Sequence, residues 1–340
     1  MPLRERSTPP WPGRRHGPGD IFRAVRRKVL TPSTAQTRFD IRGFHEKDAV
    51  SRYLLEAVGH AFLEGYGIAV GSRSMRDTIA QLASIPDQFR GFAYEGAGMG
   101  LAILDSLRMR GSCRIAQLLQ TEPGAEQRYL VYVGIGWAMA RLPRFCWPRA
   151  KRMDPLLRWL VLDGYGFHQG YFHTRKYVHE QHQNLSLSWP DKACGRYANR
   201  VVDQGIGRAI WFVGGTDPDE VAAIIEKFPE MRRSDLYSGA GLAATYAGGV
   251  TREELVRFRG HAGAHLPALA QGSAFAAEAR VSGGFVAPYT EHATSVFCGT
   301  TPENAARVTR ETQPADPLDG DLPAYEAWRH ATARCFGSTG

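Results

Sequence analysis

Acidic and amide side chains recur at the start of a short glycine-rich pattern, and they are the residues best suited to proton transfer. The pattern is a polar residue, Gly, any residue, a small residue and then apolar residues. Glu95, Asp163 and Gln204 occupy its first position, and Asp203 precedes Gln204. Because burial raises the pKa of a carboxyl group, we predict that Glu95, Asp163 and Asp203 transfer protons or orient a ligand from helix N-termini. For each position taken alone, a helix cap is the competing interpretation.

Histidines cluster once in the chain, and a metal site is the first function to test for them. They are His168, His173, His179 and His182, with spacings of five, six and three residues. These spacings do not place three ligands on one helical face, so we predict no metal site and an ordinary polar loop. His168 is kept with the acids as a catalytic candidate because imidazole can move protons near neutral pH.

Aromatic residues accompany the glycine-rich pattern. The candidates for ligand binding are Tyr94, Trp137, Tyr165, Phe167, Trp211 and Tyr246. If they line a groove, the groove would suit a flat, apolar, conjugated ligand. The alternative is that they fill the interfaces between helices. Motifs for phosphate, dinucleotide or metal cofactors are absent or only partial, so we predict no cofactor.

The pattern occurs seven times, and its first glycines are separated by 30 to 41 residues. A second landmark, the pair Gly-Gly, recurs at 214–215, 248–249 and 283–284. Gly pairs are typical of helix ends, and Thr216 and Thr251, each followed by acidic residues, predict helix starts. Small residues inside a helix let two backbones approach closely. The sequence therefore predicts an all-α protein of helical hairpins, about 34 residues each, packed as a compact α-solenoid.

The charge and hydropathy of the chain exclude some classes of function. The chain has 340 residues and a net charge of +8, but eight basic and two acidic residues up to Leu30 leave the rest almost neutral. We predict a disordered basic tail at 1–20, a single helical-repeat domain at 21–335 and no nucleic-acid partner. No secretory signal and no membrane-spanning run is visible, and five scattered cysteines suit a reducing compartment. We expect a cytoplasmic protein.

Five stretches in order resemble a known family. They are residues 90–99, 134–143, 163–167, 203–212 and 239–249. Together they are similar to the UnbL-like enediyne biosynthesis protein family, whose members are of unknown function and are encoded beside enediyne polyketide synthases. The resemblance runs from about Phe22 to Arg334.

The resemblance implies a biosynthetic pathway but does not define the reaction. It implies a cassette protein that acts on, or holds, the linear polyene or polyyne precursor while the enediyne core forms, as a cofactor-independent tailoring enzyme. No set of catalytic residues carries over from the family. Two non-enzymatic alternatives stay open: a scaffold or carrier for other enediyne cassette proteins, and self-resistance by sequestering the product. For the enzyme, we expect truncation of Glu95, Asp163 or Asp203 to Ala to abolish product while the fold is kept.

Overall fold

The computed structural model describes residues 34–107, 113–190, 195–320 and 322–336. Within these ranges the fold is all-helical: it contains α-helices, short 3₁₀-helices and a π-helical turn, and no strands. The α-helices are α1 (Phe39–Arg42), α2 (Ala49–Gly71), α3 (Met75–Leu82), α4 (Asp87–Ser106), α5 (Arg114–Leu119), α6 (Glu122–Glu126), α7 (Arg128–Arg141), α8 (Leu160–Phe172), α9 (Gly195–Val213), α10 (Pro218–Glu226), α11 (Glu230–Ala247), α12 (Arg252–Ala262), α13 (Leu266–Ser282), α14 (Pro288–Phe297), α15 (Pro302–Glu311) and α16 (Ala324–Phe336). The all-α prediction is confirmed for these ranges. The tail predicted at 1–20 lies outside the described residues.

Local sequence signals set several helix ends. Thr251 begins α12 with a capping box, in which its hydroxyl accepts from the backbone N–H of Glu254 and the Glu254 carboxylate accepts from that of Thr251. At α10 the cap is Asp217, one residue after the predicted Thr216, because Thr216 adopts the left-handed conformation with φ 64°. Gly248, with φ 72°, closes α11 as the Gly-Gly landmark predicts.

Within the described ranges, seven long helices carry the glycine-rich pattern. These central helices, α2, α4, α7, α8, α9, α11 and α13, pack in chain order, each against the one before and the one after. Helices α15 and α16 then pack against α13. The C-terminal part of α13 also reaches the start of α4, where Arg280 donates to the backbone oxygen of Gln88 at 3.0 Å. The arrangement therefore surrounds an interior that several central helices share.

The two glycines of each pattern contact different neighbours. A Cβ atom on Gly205 of α9 would lie 1.9 Å from the backbone oxygen of Asp163 in the preceding α8. One on Gly207 would lie 2.1 Å from the backbone oxygen of Leu236 in the following α11. The same alternation holds for Gly96 and Gly98, Gly134 and Gly136, Gly164 and Gly166, and Gly239 and Gly241. This close approach explains glycine at positions where it costs about 1 kcal/mol of helix propensity.

The alternation of the glycines also decides which side chains face the interior. Successive residues of an α-helix are about 100° apart, so the first and fifth pattern positions lie on the face between the two glycines. In the six central helices from α4 to α13, the fifth position holds Met99, Trp137, Phe167, Arg208, Leu242 and Phe275. All six line one or both of two internal cavities.

The predicted placement of the acids at helix N-termini is wrong for most of them. Glu95 lies near the middle of α4, and Asp203 and Gln204 lie near the middle of α9, because helical residues extend well upstream of each glycine pattern. Only Asp163 is in a first turn, that of α8, and its carboxylate pairs with the Arg208 guanidinium instead of capping the helix. The helix-cap interpretation is therefore also excluded for these residues.

Adding one methyl group at a close helix crossing should be costly. We expect Gly205→Ala to lower the free energy of unfolding by about 3 kcal/mol or more, because the neighbouring atom is backbone and cannot rotate away. Gly260→Ala is the matched control: Gly260 is exposed within α12 and a Cβ atom there meets nothing within 4 Å. It should raise stability by about 0.5–1 kcal/mol. Urea unfolding measures both, and equal effects would contradict the packing argument.

Candidate functional site

A cavity lies between α2, α4, α7, α8, α9 and α11, and we call it the Trp137 cavity. The space between its lining atoms, including open solvent, is about 720 Å³, but the centre of a water molecule can occupy only about 50 Å³ of it, so it is narrow. Its walls are largely aromatic and aliphatic, and its charged residues are Glu95, Arg141 and Arg208. The aromatic walls are Phe62, Phe92, Trp137, Phe167, Tyr171, Phe172, Phe212 and Tyr246. A narrow apolar slot with few polar groups is typical of a site for a thin hydrophobic ligand.

Trp137 lies at the centre of this wall. Its ring packs against Phe62 and Phe167, with ring centroids 4.6 Å and 4.9 Å away, mostly in tilted and edge-to-face geometry. Its indole N–H donates to Oε1 of Glu95 at 2.8 Å. Because both the ring and the N–H are engaged, Trp137 holds the Glu95 carboxyl group at the cavity wall.

Three of the six predicted ligand-binding aromatics line the Trp137 cavity, namely Trp137, Phe167 and Tyr246. The other three lie elsewhere. Trp211 packs on Phe258 at 5.5 Å and donates to the backbone oxygen of Gly248. Tyr165 packs on Trp147, and Tyr94 is buried within α4 outside the cavities described for this chain. These three match the alternative stated for the aromatics, that they fill contacts between structural elements.

Glu95 belongs to a group of three buried charges, which we call the buried triad. The Arg208 guanidinium hydrogen-bonds to Oδ1 of Asp163 and lies 3.6 Å from Oε2 of Glu95. Each of the three side chains is at most about 5% exposed. One guanidinium thus faces two carboxyl groups. When both acids are ionised, the triad has a net negative charge that is buried away from water.

The environment of the buried triad brings the pKa of Glu95 into the neutral range. Burial raises the pKa of Glu95 to about 7, against the lowering effects of Arg208 and of the Trp137 hydrogen bond. Burial also raises the pKa of Asp163, although the Arg208 guanidinium opposes the shift. A carboxyl group with a pKa near the working pH can both accept and donate a proton, which general acid–base catalysis requires.

A second cavity begins on the other side of Arg208, and we call it the Asp163 cavity. The space between its lining atoms is about 510 Å³, and it shares Arg208, Leu242 and Tyr246 with the Trp137 cavity. Glu95 lines the first cavity and Asp163 lines the second. Within the described residues, Oδ2 of Asp163 has no hydrogen-bond partner. The buried triad therefore contributes to the walls of both cavities and presents one acid to each.

Asp203 and Gln204 line neither cavity. Asp203 forms a two-pronged salt bridge with Arg232, with N–O distances of 2.8 Å and 2.6 Å, and accepts from Gln183. Burial raises the pKa of Asp203 to about 6, although Arg232 opposes the shift. Gln204 accepts from the Tyr325 hydroxyl at 3.2 Å. The structure therefore brings Glu95 and Asp163 together through Arg208 and keeps Asp203 in a separate ion pair.

His168 is buried behind the cavity wall, against Trp137 and Phe172 at ring-centroid distances of 5.5 Å and 4.9 Å. Burial, followed by the charges of Arg141, His173 and Arg42, lowers the pKa of His168 to about 3, so the ring is neutral at pH 7. Among the described residues, no three His, Cys, Asp or Glu side chains are grouped so that they could hold a metal ion.

Sequence reasoning missed Arg208, the residue on which the site depends. The signal was present, because Arg208 is the one charged residue among the six fifth-position residues from Met99 to Phe275. A buried charge requires a partner, and the first position on the same face holds Glu95 and Asp163. In the six central helices from α4 to α13 this face points to the same interior, which brings the three charges together.

The raised pKa of Glu95 should make stability depend on pH. Between about pH 4.5 and pH 7 the folded state keeps a proton that the unfolded chain loses, so the free energy of unfolding falls as pH rises through this range. Glu95→Gln removes that contribution. We expect wild type to lose about 2 kcal/mol or more relative to the variant from pH 5 to pH 8 in urea unfolding. Parallel curves for the two proteins would show that Glu95 has an ordinary pKa.

Comparison with known proteins places most of the chain in one family. A family model described as "Protein of unknown function (DUF1702)" matches residues 21–336. No curated protein and no solved structure matches significantly. Within the described residues, none of the helices has the length and hydropathy needed to cross a membrane.

Proposed function

The chain belongs to the DUF1702 family, and we propose that it acts on a linear conjugated polyene or polyyne in the Trp137 cavity during enediyne core formation. The observation that carries the proposal is the narrow aromatic cavity with a single buried, proton-carrying carboxyl group, Glu95, on its wall. The pathway rests on the resemblance to the UnbL-like enediyne biosynthesis protein family, which also implies other cassette proteins as partners.

The shape and lining of the cavity support this class of ligand. A conjugated chain is thin, apolar and rich in π-electrons, so it gains contact with ring faces and edges without needing hydrogen-bond partners. The ring of Trp137 is held from two sides, by Phe62 and Phe167, which lowers the entropy lost when a ligand binds. We also propose that the central helices are units of the predicted α-solenoid, because their glycines alternate between the preceding and the following helix.

The proposed chemistry is proton transfer along the conjugated chain. The Glu95 carboxylate accepts a proton from a C–H group next to the conjugated system, and the resulting carboxylic acid returns the proton to another carbon. The double bonds move, the atoms balance, and no electron is gained or lost. Arg208 lies 3.6 Å from Glu95 and stabilises its ionised form, which is present before the first transfer and again after the second.

The test is absorbance and mass spectrometry of the purified protein mixed with the linear conjugated polyene of the synthase. We expect the polyene bands to change while the product keeps the mass of the substrate. A product of different mass would establish an enzyme with another reaction. A shifted spectrum that reverts when the ligand is extracted would favour the carrier or sequestration function. An unchanged spectrum at every protein concentration would contradict ligand binding in the Trp137 cavity.

A further inference from the structure

An open, positively charged groove adjoins the Trp137 cavity, and we propose that it binds the anionic head group of the ligand whose conjugated chain occupies the cavity. This inference rests on the proposed function and refines the substrate class, from a conjugated hydrocarbon to a conjugated carboxylate or phosphate ester.

The groove contains more positive than negative charge. The space between its lining atoms, including open solvent, is about 1100 Å³, and its charged walls include Arg42, Arg175, Lys176 and Glu180. Glu180 pairs with Arg175 at 2.9 Å. Within the described part of the chain, Arg42 and Lys176 form no salt bridge. Nη2 of Arg42 donates to the backbone oxygen of Phe172 at 3.4 Å, so no carboxylate neutralises either charge. Guanidinium and ammonium groups bind carboxylate and phosphate oxygens through charge-assisted hydrogen bonds.

The groove and the Trp137 cavity meet at one side chain. Phe172 lines both of them. The Arg42 guanidinium lies over the Phe172 ring at 5.0 Å and over the ring of Tyr171, another cavity residue, at 5.9 Å. A ligand whose chain lies along these two rings therefore places its end beside Arg42.

Most charged groups around this junction are cationic, although the Glu56 carboxylate also acts on Tyr171. Arg141 lines the cavity and, among the described residues, pairs with no carboxylate. The charges of Arg141, His173 and Arg42 act together with burial to keep the pKa of His168 low. Burial, Lys176 and Arg42 likewise lower the pKa of His173. The positively charged side chains therefore lie around the end of the cavity that adjoins the groove. Glu95 and Arg208 of the buried triad line the same cavity.

Two binding points would determine the position of the ligand. With its head group at Arg42 and Lys176 and its chain in the cavity, the ligand presents a defined stretch of carbons to Glu95. An uncharged hydrocarbon could slide along the same aromatic walls. The groove is therefore a specificity element for the proposed reaction.

Fluorescence titration with cis-parinaric acid and its methyl ester tests the inference, because both probes share one conjugated chain and differ in charge. We expect wild type to bind the acid at least about 10-fold more tightly than the ester. Arg42→Gln and Lys176→Gln should weaken binding of the acid by about 10-fold each and leave the ester unchanged. Lys176 is exposed, so its variant keeps the fold. Arg307→Gln, an exposed arginine paired with Glu311, is the matched control.

The outcomes separate the two proposals. If acid and ester bind wild type equally and the groove variants change neither, the head-group site is wrong while the Trp137 cavity stands. If neither probe binds, the head-group inference and the proposed function both fail. Trp137→Leu should weaken both probes, which shows that they occupy the cavity. Displacement of the acid by dodecanoate and by dodecyl phosphate then distinguishes a carboxylate from a phosphate head group.

Discussion

Replacing Arg208 with Met should lower the free energy of unfolding by about 3–5 kcal/mol, because it leaves the carboxyl groups of Glu95 and Asp163 buried without a counter-charge. The loss should be larger at pH 8 than at pH 5, since both acids can take up protons at the lower pH. Urea unfolding followed by circular dichroism at the two pH values measures the effect.

Neutralising the acids should restore much of this loss. The triple variant Glu95→Gln, Asp163→Asn, Arg208→Met keeps similar side-chain volumes and contains no unpaired buried charge, so it should be clearly more stable than Arg208→Met alone. Arg307→Met is the control, because it removes one exposed partner of a surface ion pair. If Arg208→Met costs no more than Arg307→Met, the buried triad does not hold the central helices together.

Replacing Glu95 with Gln should reduce turnover of the conjugated polyene by about 100-fold or more. The amide cannot carry the proton, but it has nearly the size of the protonated acid, and its oxygen can still accept from the Trp137 indole N–H. Ligand binding and the far-ultraviolet circular dichroism spectrum should therefore stay close to those of wild type. The rate of absorbance change under saturating ligand, compared with the binding constant, separates the two effects.

The repeated pattern supplies a matched control for this variant. Glu64 holds the same first position of the pattern in α2 but is exposed. Glu64→Gln should therefore leave turnover unchanged. Wild-type turnover in Glu95→Gln would exclude Glu95 as the proton-transfer group and would direct attention to Asp163 and the Asp163 cavity.

Parts of this site followed from residue types and spacing. Glu95 and Asp163 were predicted, together with Asp203, as proton-transfer or orienting groups, and Trp137, Phe167 and Tyr246 as ligand-binding rings. The structure places these five, but not Asp203, at the two cavities. Their catalytic and binding roles remain predictions. The aromatics that line no cavity could not be told apart from these by composition, since a buried ring at a helix contact and a ring in a cavity share the same hydrophobicity.

Asp203 shows why position in a pattern does not determine chemistry. It lies one residue before the first position occupied by Gln204, so it points about 100° away from the interior face of α9. There it meets Arg232 of the next central helix, and the two-pronged ion pair occupies both carboxylate oxygens. Reading the helical angle as well as the spacing would have separated Asp203 from Glu95.

The sequence alone determined the helical class, several helix ends and the helix faces that approach closely, because these depend on neighbours within about one helical turn. Capping residues such as Thr251 and the paired glycines act on the helix in which they lie. The spacing of the repeats places the same signals in successive helices. Only the tertiary structure decided that Arg208 lies between Glu95 and Asp163 and that Phe172 lines both the cavity and the basic groove. Those contacts join residues of different helices. The pKa of Glu95 is raised, and the cavity is formed, only after the helices have packed.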